Sequence, residues 1–151
     1  MNIREFRLRD LEPCAALFIE VFNQEPWNDR WSAEKAEIYL KDFTATPGFI
    51  GIVAEDNENN LVGLMFGCRR QWWSGDEFWI NEMCVDRSLQ QSGIGSAMLR
   101  YLESTLACKG IENMVLLTNR GIPAEDFYRK NGFGEISRII FLDKGIGAES
   151  K

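Results

Sequence analysis

A mixed α/β fold, one sheet of antiparallel and parallel strands flanked by helices, is what this 151-residue chain predicts. Three observations carry that expectation. Two apolar runs of strand length are joined by Glu55-Asp56-Asn57-Glu58-Asn59-Asn60, a polar hairpin turn that implies antiparallel pairing. The second half alternates strand-like with helix-like segments, which implies parallel pairing there. Between them, Gln90-Gln91-Ser92-Gly93-Ile94-Gly95-Ser96 is a glycine-bearing turn entered from an apolar strand and left into an amphipathic helix.

The elements follow in order. Residues 3–8 read as a first strand. Asp10 is expected to cap a helix whose apolar positions Leu11, Ala15, Phe18, Ile19 and Phe22 recur at helical spacing. Residues 23–30, containing Pro26-Trp27-Asn28-Asp29, form a loop, and Ser32 caps a second helix running to about Phe43. Thr46-Pro47-Gly48 ends that unit by turn chemistry. Residues 49–54 and 61–68 are the hairpin strands, and Ser74-Gly75-Asp76 turns the chain into a strand over 78–85. The helix after the glycine turn covers 97–109 and is stopped by Gly110. Residues 114–117 are a short strand, Pro123 opens the last helix, and Gly132 supplies its left-handed cap. Residues 133–142 read as a final strand, continuous or broken in two, and 148–151 as a frayed end. The predicted order is β-α-α-β-β-β-α-β-α-β, within a single domain spanning residues 1–151.

Composition narrows the function. A net charge of −6 argues against nucleic acid or an anionic membrane as the main partner and favours cationic small molecules. The four cysteines, Cys14, Cys68, Cys84 and Cys108, form no C-x-x-C pair, so buried free thiols are expected and no metal site. The absence of histidine removes Ser-His-Asp and Cys-His nucleophilic catalysis and leaves acid–base work to Glu, Asp, Tyr, Cys, Lys or water. With neither a signal-peptide core nor a run long enough to span a bilayer, the expectation is a soluble, cytoplasmic protein.

The glycine turn points to an anion. Glycines let successive main-chain N–H groups crowd toward one point, and a helix start adds unpaired donors and the positive dipole end. A dinucleotide fingerprint would need a third glycine where Met98 stands, and a Walker loop would need Gly-Lys-Ser/Thr. Neither is present. Alone, the turn also fits a tight strand-to-helix connection that binds nothing.

Two motifs decide between these readings. Gln90-x-x-Gly93-x-Gly95, preceded by Met83-Cys84-Val85, resembles the Q/R-x-x-G-x-G/A signature of the GCN5-related N-acetyltransferases. Phe127-Tyr128-Arg129-Lys130-Asn131-Gly132-Phe133 resembles that family's second signature, F-Y-x-x-x-G-F, with Asn119 ahead of the last helix. The resemblance implies the family's fold and acetyl-coenzyme A as co-substrate, with no metal. It implies that main-chain groups of Gln91, Ser92, Gly93, Ile94, Gly95 and Ser96 hold the pyrophosphate. It further implies that the pantetheine arm pairs with Met83, Cys84 and Val85, where the family carries a β-bulge, and that an N–H near Met83 or Cys84 stabilises the oxyanion. Tyr128 then corresponds to the acid that protonates the departing thiolate. Its alternative role is packing with Phe127 and Phe133. Lys130 is a candidate for coenzyme phosphate, as are Arg87, Arg120 and Arg129, with solvated charge as the alternative for each.

The chain departs from the family in two places. Gln91 and Ser92 replace the usual Arg or Lys of the turn, so phosphate binding leans on the backbone. Trp79 replaces the frequent glutamate, so Glu82 is the expected base and Glu77 the next candidate. Trp27 and Trp31 on one side, with Trp72, Trp73 and Trp79 on the other, offer an aromatic wall for a cation or ordinary packing. With Glu77 and Glu82 they lean toward a polyamine or aminoglycoside-like acceptor. A protein N-terminal or lysine acetyltransferase and a non-catalytic coenzyme A sensor remain alternatives. Dimers are common in the family, so a homodimer is an open expectation.

Overall fold

The computed structural model describes residues 1–147, so the frayed end expected at 148–151 lies outside the described residues. Five strands form one sheet in sequence order: β1 (Asn2–Glu5), β2 (Phe49–Glu55), β3 (Leu61–Arg70), β4 (Glu77–Val85) and β5 (Asn113–Leu116). The first four are antiparallel neighbours, and β5 lies parallel to β4. The helices are α1 (Leu11–Phe22), α2 (Ala33–Thr44), α3 (Ile94–Cys108) and α4 (Pro123–Lys130).

The helices divide between the sheet's faces. Phe18, Phe22, Ala36 and Leu40 of α1 and α2 bury against Val53, Leu64, Phe66 and Cys84 on one face. Met98, Leu99, Leu102 and Leu106 of α3 bury against Ile52, Met65, Phe78 and Ile80 on the other, with Phe127 of α4 packed beside them. Coverage on both sides explains why β2 and β3 read as continuous apolar runs rather than alternating ones.

One irregularity positions the site. On β4, Ile80 opposes Gly67 and Glu82 opposes Phe66, leaving Asn81 as an extra residue. This bulge reverses the facing of everything after it, because side chains alternate with period two. Phe78, Ile80, Met83 and Val85 therefore pack toward α3, while Cys84 joins the α1–α2 core and Glu82 turns toward α2.

Several expectations are corrected. Asp10 does not cap α1. Its carboxylate instead accepts from the Arg7 N–H at 2.8 Å and from two Arg4 nitrogens at 2.8 and 2.9 Å, because a guanidinium fork satisfies both oxygens at once. The first strand stops at Glu5, and Leu8 lies 67% exposed in a short 3-10 turn. Ser32 does cap α2, accepting from the Lys35 N–H at 3.1 Å. Cys108 is exposed at the end of α3, whereas the other three cysteines are buried and free. Residues 133–142 form no strand. A turn closed by the Ile139 N–H on the Ile136 carbonyl, 3.1 Å, interrupts the segment, and Phe141 and Leu142 are 81% and 80% exposed. A strand needs a neighbour to take its ladder hydrogen bonds, and this segment has none among the described residues.

Candidate active site

The turn from β4 into α3 is held by its own side chains. Gln90 Nε2 donates to the Val85 carbonyl at 3.1 Å, and the Ser92 hydroxyl donates to the Leu89 carbonyl. Asp86 accepts from the Ser88 N–H at 2.9 Å. These bonds fix a backbone in which Gln91 and Gly93 both have left-handed φ, 64° and 90°. None of the main-chain N–H groups of Gln91, Ser92, Gly93, Ile94, Gly95 and Ser96 makes a well-formed hydrogen bond to another described residue. Four of these, Gly93 to Ser96, are the orphan donors a helix start carries; the turn adds two more, Gln91 and Ser92. Gln91, Ser92 and Gly93 are exposed, and a Cβ built on Gly93 meets nothing within 4 Å. These six unengaged donors lie at or just before the positive end of the 15-residue α3, an arrangement chemically able to receive an anion.

Gly95 serves a different purpose. A Cβ there would approach the Phe127 ring at 2.9 and 3.0 Å, so its absence lets α4 seat on α3. Ile94 is buried beneath the turn and anchors it to the α3 core.

Beside the turn the sheet opens. The parallel pairing of β4 with β5 ends at Ile80 with Leu116, so the β5-side edge of Asn81, Glu82, Met83, Cys84 and Val85 carries no ladder. A free main-chain edge can pair with an extended ligand as a strand would.

Glu82 lies on the α1–α2 face of this opening. The Tyr39 hydroxyl donates to Glu82 Oε1 at 2.5 Å. Burial pushes the Glu82 carboxyl up to about 7, the Tyr39 bond opposes that rise, and the charge of Asp29 adds to it. Tyr128 is raised above the ordinary phenol value, first by burial and then by the charges of Glu82 and Cys84. The structure thus brings Glu82 and Tyr128 within electrostatic reach of each other. Burial also drives the Cys84 thiol well up, so it stays protonated and is no nucleophile.

The other expected residues are more scattered. Trp31 stacks on Tyr39 with ring centroids 5.0 Å apart, and Trp27 packs on Phe22 at 5.3 Å. Trp79 sits on β4 under the Arg70 guanidinium, 5.0 Å from its ring centre, and its indole N–H donates to Glu77 at 3.1 Å. Trp72 and Trp73 stand 56% and 89% exposed beyond the end of β3, so the five tryptophans do not make one wall. Asn119 is exposed in the loop after β5 and Lys130 in the last turn of α4. Arg120 and Arg129 are engaged by Glu135 and Glu125, and Arg87 donates to the Glu25 carbonyl at 3.0 Å.

Sequence reasoning missed Tyr39 and Asp29. Tyr39 falls between the buried Ala36 and Leu40 on the inward side of α2, and a polar-tipped aromatic there needs a partner. Among the described residues no group of three or more His, Cys, Asp or Glu is placed to hold a metal, and no helix is long and apolar enough to cross a membrane.

Comparison with known proteins bears on this geometry. Residues 11–133 match the model of the acetyltransferase (GNAT) family. The uncharacterized N-acetyltransferase YjcF of Bacillus subtilis (strain 168) is 33% identical over 67 residues, 44% of this chain; the match spans less than half, 46%, of that protein. A crystal structure described as a probable acetyltransferase superposes with a TM-score of 0.81 at 17% identity, covering 99% of this chain and 100% of that one. An aminoglycoside acetyltransferase from an uncultured soil metagenomic sample, crystallised with sisomicin, gives 0.75 at 20% identity, covering 97% and 96%. At these identities the structural likeness establishes the fold.

Proposed function

The chain belongs to the acetyltransferase (GNAT) family, and from that premise we propose that it is an acetyl-CoA-dependent N-acetyltransferase acting on a primary amine of a small cationic molecule, polyamine or aminoglycoside-like. One observation carries the reading. Glu82, at the end of β4 that leads into six unengaged amides, and Tyr128 of α4 lie within electrostatic reach of each other, with the carboxyl raised to about 7 and the phenol raised above its ordinary value.

The residues present fit the coenzyme. Gln91, Ser92, Gly93, Ile94, Gly95 and Ser96 would hold its diphosphate through main-chain N–H groups, and the open edge of β4 at Met83, Cys84 and Val85 would take the extended pantetheine arm. When bound, acetyl-CoA supplies an acetyl group activated as a thioester. Asn119, Phe127 and Lys130 are assigned to its periphery on family resemblance.

The chain's own groups then move the protons. An amine with a pKa of about 10 arrives charged and must lose a proton before it attacks. Glu82 Oε2 accepts that proton, directly or through water, because Oε1 is engaged by Tyr39. A value of about 7 suits a general base at neutral pH. Tyr128 Oη keeps its proton throughout that range and donates it to the departing sulfur. On the family resemblance, an N–H near Met83 or Cys84 would stabilise the oxyanion.

The acceptor class rests on charge. Asp29 lies within electrostatic range of Glu82, Glu77 and Trp79 lie on the same face of β4 as Glu82, and Trp31 packs on Tyr39 at the α2 side. These carboxylates support a cationic acceptor. The aminoglycoside acetyltransferase of the same fold supports the amine class, without naming the compound. The test is an amine panel assayed by thiol release from acetyl-CoA. Turnover with polyamines or aminoglycosides, lowered about 10²-fold in Glu82→Gln, is expected. Acetylation of peptides alone would favour a protein acetyltransferase, and tight coenzyme binding with no turnover on any amine would favour a non-catalytic module.

A further inference from the structure

We infer that Tyr39 is a positioning residue: its hydroxyl, fixed by an aromatic clamp on α1 and α2, orients the Glu82 carboxyl and sets the pH at which it becomes a base. This rests on the reading of Glu82 as the proton acceptor. The geometry is specific. The Tyr39–Glu82 bond, 2.5 Å, joins residues 43 apart in sequence and ties α2 to β4 at the bulge. The Tyr39 ring is held by Trp31 at 5.0 Å, by Phe43 edge-on at 5.0 Å and by Phe18 at 5.8 Å. With the ring gripped by three aromatic neighbours, the hydroxyl cannot swing away, and Glu82 presents Oε2 in one direction.

The groups facing Glu82 come from each element packed around it: Tyr39 on α2, Asp29 from the α1–α2 loop, Cys84 on β4 and Tyr128 on α4. No cation is among them. Burial, Asp29, Cys84 and Tyr128 do nothing to favour the ionised carboxylate. The Tyr39 hydroxyl is the one group in this set that lowers the Glu82 value. Burial and Glu82 in turn raise Tyr39 itself, so it remains a donor across the working range. The aromatic cluster thereby acts on the chemistry through a single hydroxyl.

The experiment is the pH dependence of kcat/KM in wild type, Tyr39→Phe and Glu82→Gln, with the best amine of the panel. Tyr39→Phe keeps the ring and removes one oxygen. Its acid limb is expected to move up by about one pH unit, with activity recovering toward wild type at high pH. An unmoved limb in a folded Tyr39→Phe protein, with the limb abolished in Glu82→Gln, overturns the role of Tyr39 and leaves Glu82 as base. A limb retained in Glu82→Gln overturns both. Should Tyr39→Phe not fold, the wild-type protein still decides the matter. The Tyr39 Cζ resonance must then titrate with the midpoint of the acid limb, and a resonance that ignores that midpoint contradicts the inference.

Discussion

Burial of Glu82 lifts its carboxyl from the ordinary 4.5 to about 7, so ionising it above neutrality works against the folded state. The stability this group contributes is fully present below about 4.5, where both states are protonated, and is lost as pH rises through about 7. Glu82→Gln is therefore expected to raise Tm at pH 8 and change it little at pH 5, with an upper bound of roughly 3 kcal/mol. The same substitution should lower kcat/KM by about 10²-fold. Equal melting shifts at the two pH values would contradict the assignment. Tyr128→Phe should lower turnover by about tenfold or more while leaving coenzyme affinity within about twofold, as isothermal titration and steady-state rates would show. Glu82 and Tyr128 were legible as candidates because strand and motif positions are local. Tyr39 was not, since its meeting with Glu82 depends on where the β4 bulge falls: the resemblance implied one at Met83 to Val85, and it lies instead at Asn81, with regular pairing from Glu82 to Val85.

The strand–turn–helix unit is where the two glycines separate in purpose. Gly93→Val places a branched side chain at φ 90°, costing roughly 1–2 kcal/mol, and projects it into the open approach to the amides. Binding of coenzyme A is expected to be lost in a protein that still folds; calorimetry showing wild-type affinity would refute the cradle. Gly95→Ala tests the helix-to-helix seat. Alanine in a helix is ordinarily stabilising by about 0.5–1 kcal/mol, but here its Cβ meets the Phe127 ring at 2.9 Å. The sign should reverse, with a net loss of about 1 kcal/mol or more and lowered turnover as the neighbouring Tyr128 shifts. A stabilised, fully active Gly95→Ala protein would show that α4 does not bear on α3 there. The reading of α3 as starting at Ala97, three residues late, has the same origin: Gly95 reads as turn chemistry, yet it lies inside the helix because close packing, not a turn, demands it.

At the scale of the whole molecule, the sheet is tied at its β1 edge by charge. Arg4 on β1 binds Asp10 at 2.8 Å and Glu55 at 2.5 Å, joining the first strand to α1 and β2. Arg4 holds the Asp10 carboxyl below its ordinary 3.8, so this stability is present above about that pH and is lost as pH falls through the folded value. Asp10→Ala should cost roughly 2–4 kcal/mol at pH 7 and much less near pH 2, read from denaturation at both. After α4, Phe141 is 81% exposed, so Phe141→Ser should change stability by less than about 0.5 kcal/mol. The apolar run of Ile139, Ile140, Phe141 and Leu142 reads as a buried strand in sequence, because propensity reports what a segment can pair with and not whether a partner stands beside it. The element order through α4, the antiparallel-then-parallel sheet and the glycine turn from β4 into α3 were legible; the last strand was not. In the proposed function, unengaged amides of the β4–α3 turn hold the coenzyme's diphosphate and so deliver its thioester to Glu82 and Tyr128. Amide-resolved NMR titration with coenzyme A tests it most directly. The N–H signals of Gln91, Ser92, Gly93, Ile94, Gly95 and Ser96 should shift most and saturate together, with smaller shifts along Met83, Cys84 and Val85; saturable shifts centred elsewhere, with that turn unmoved, would contradict it.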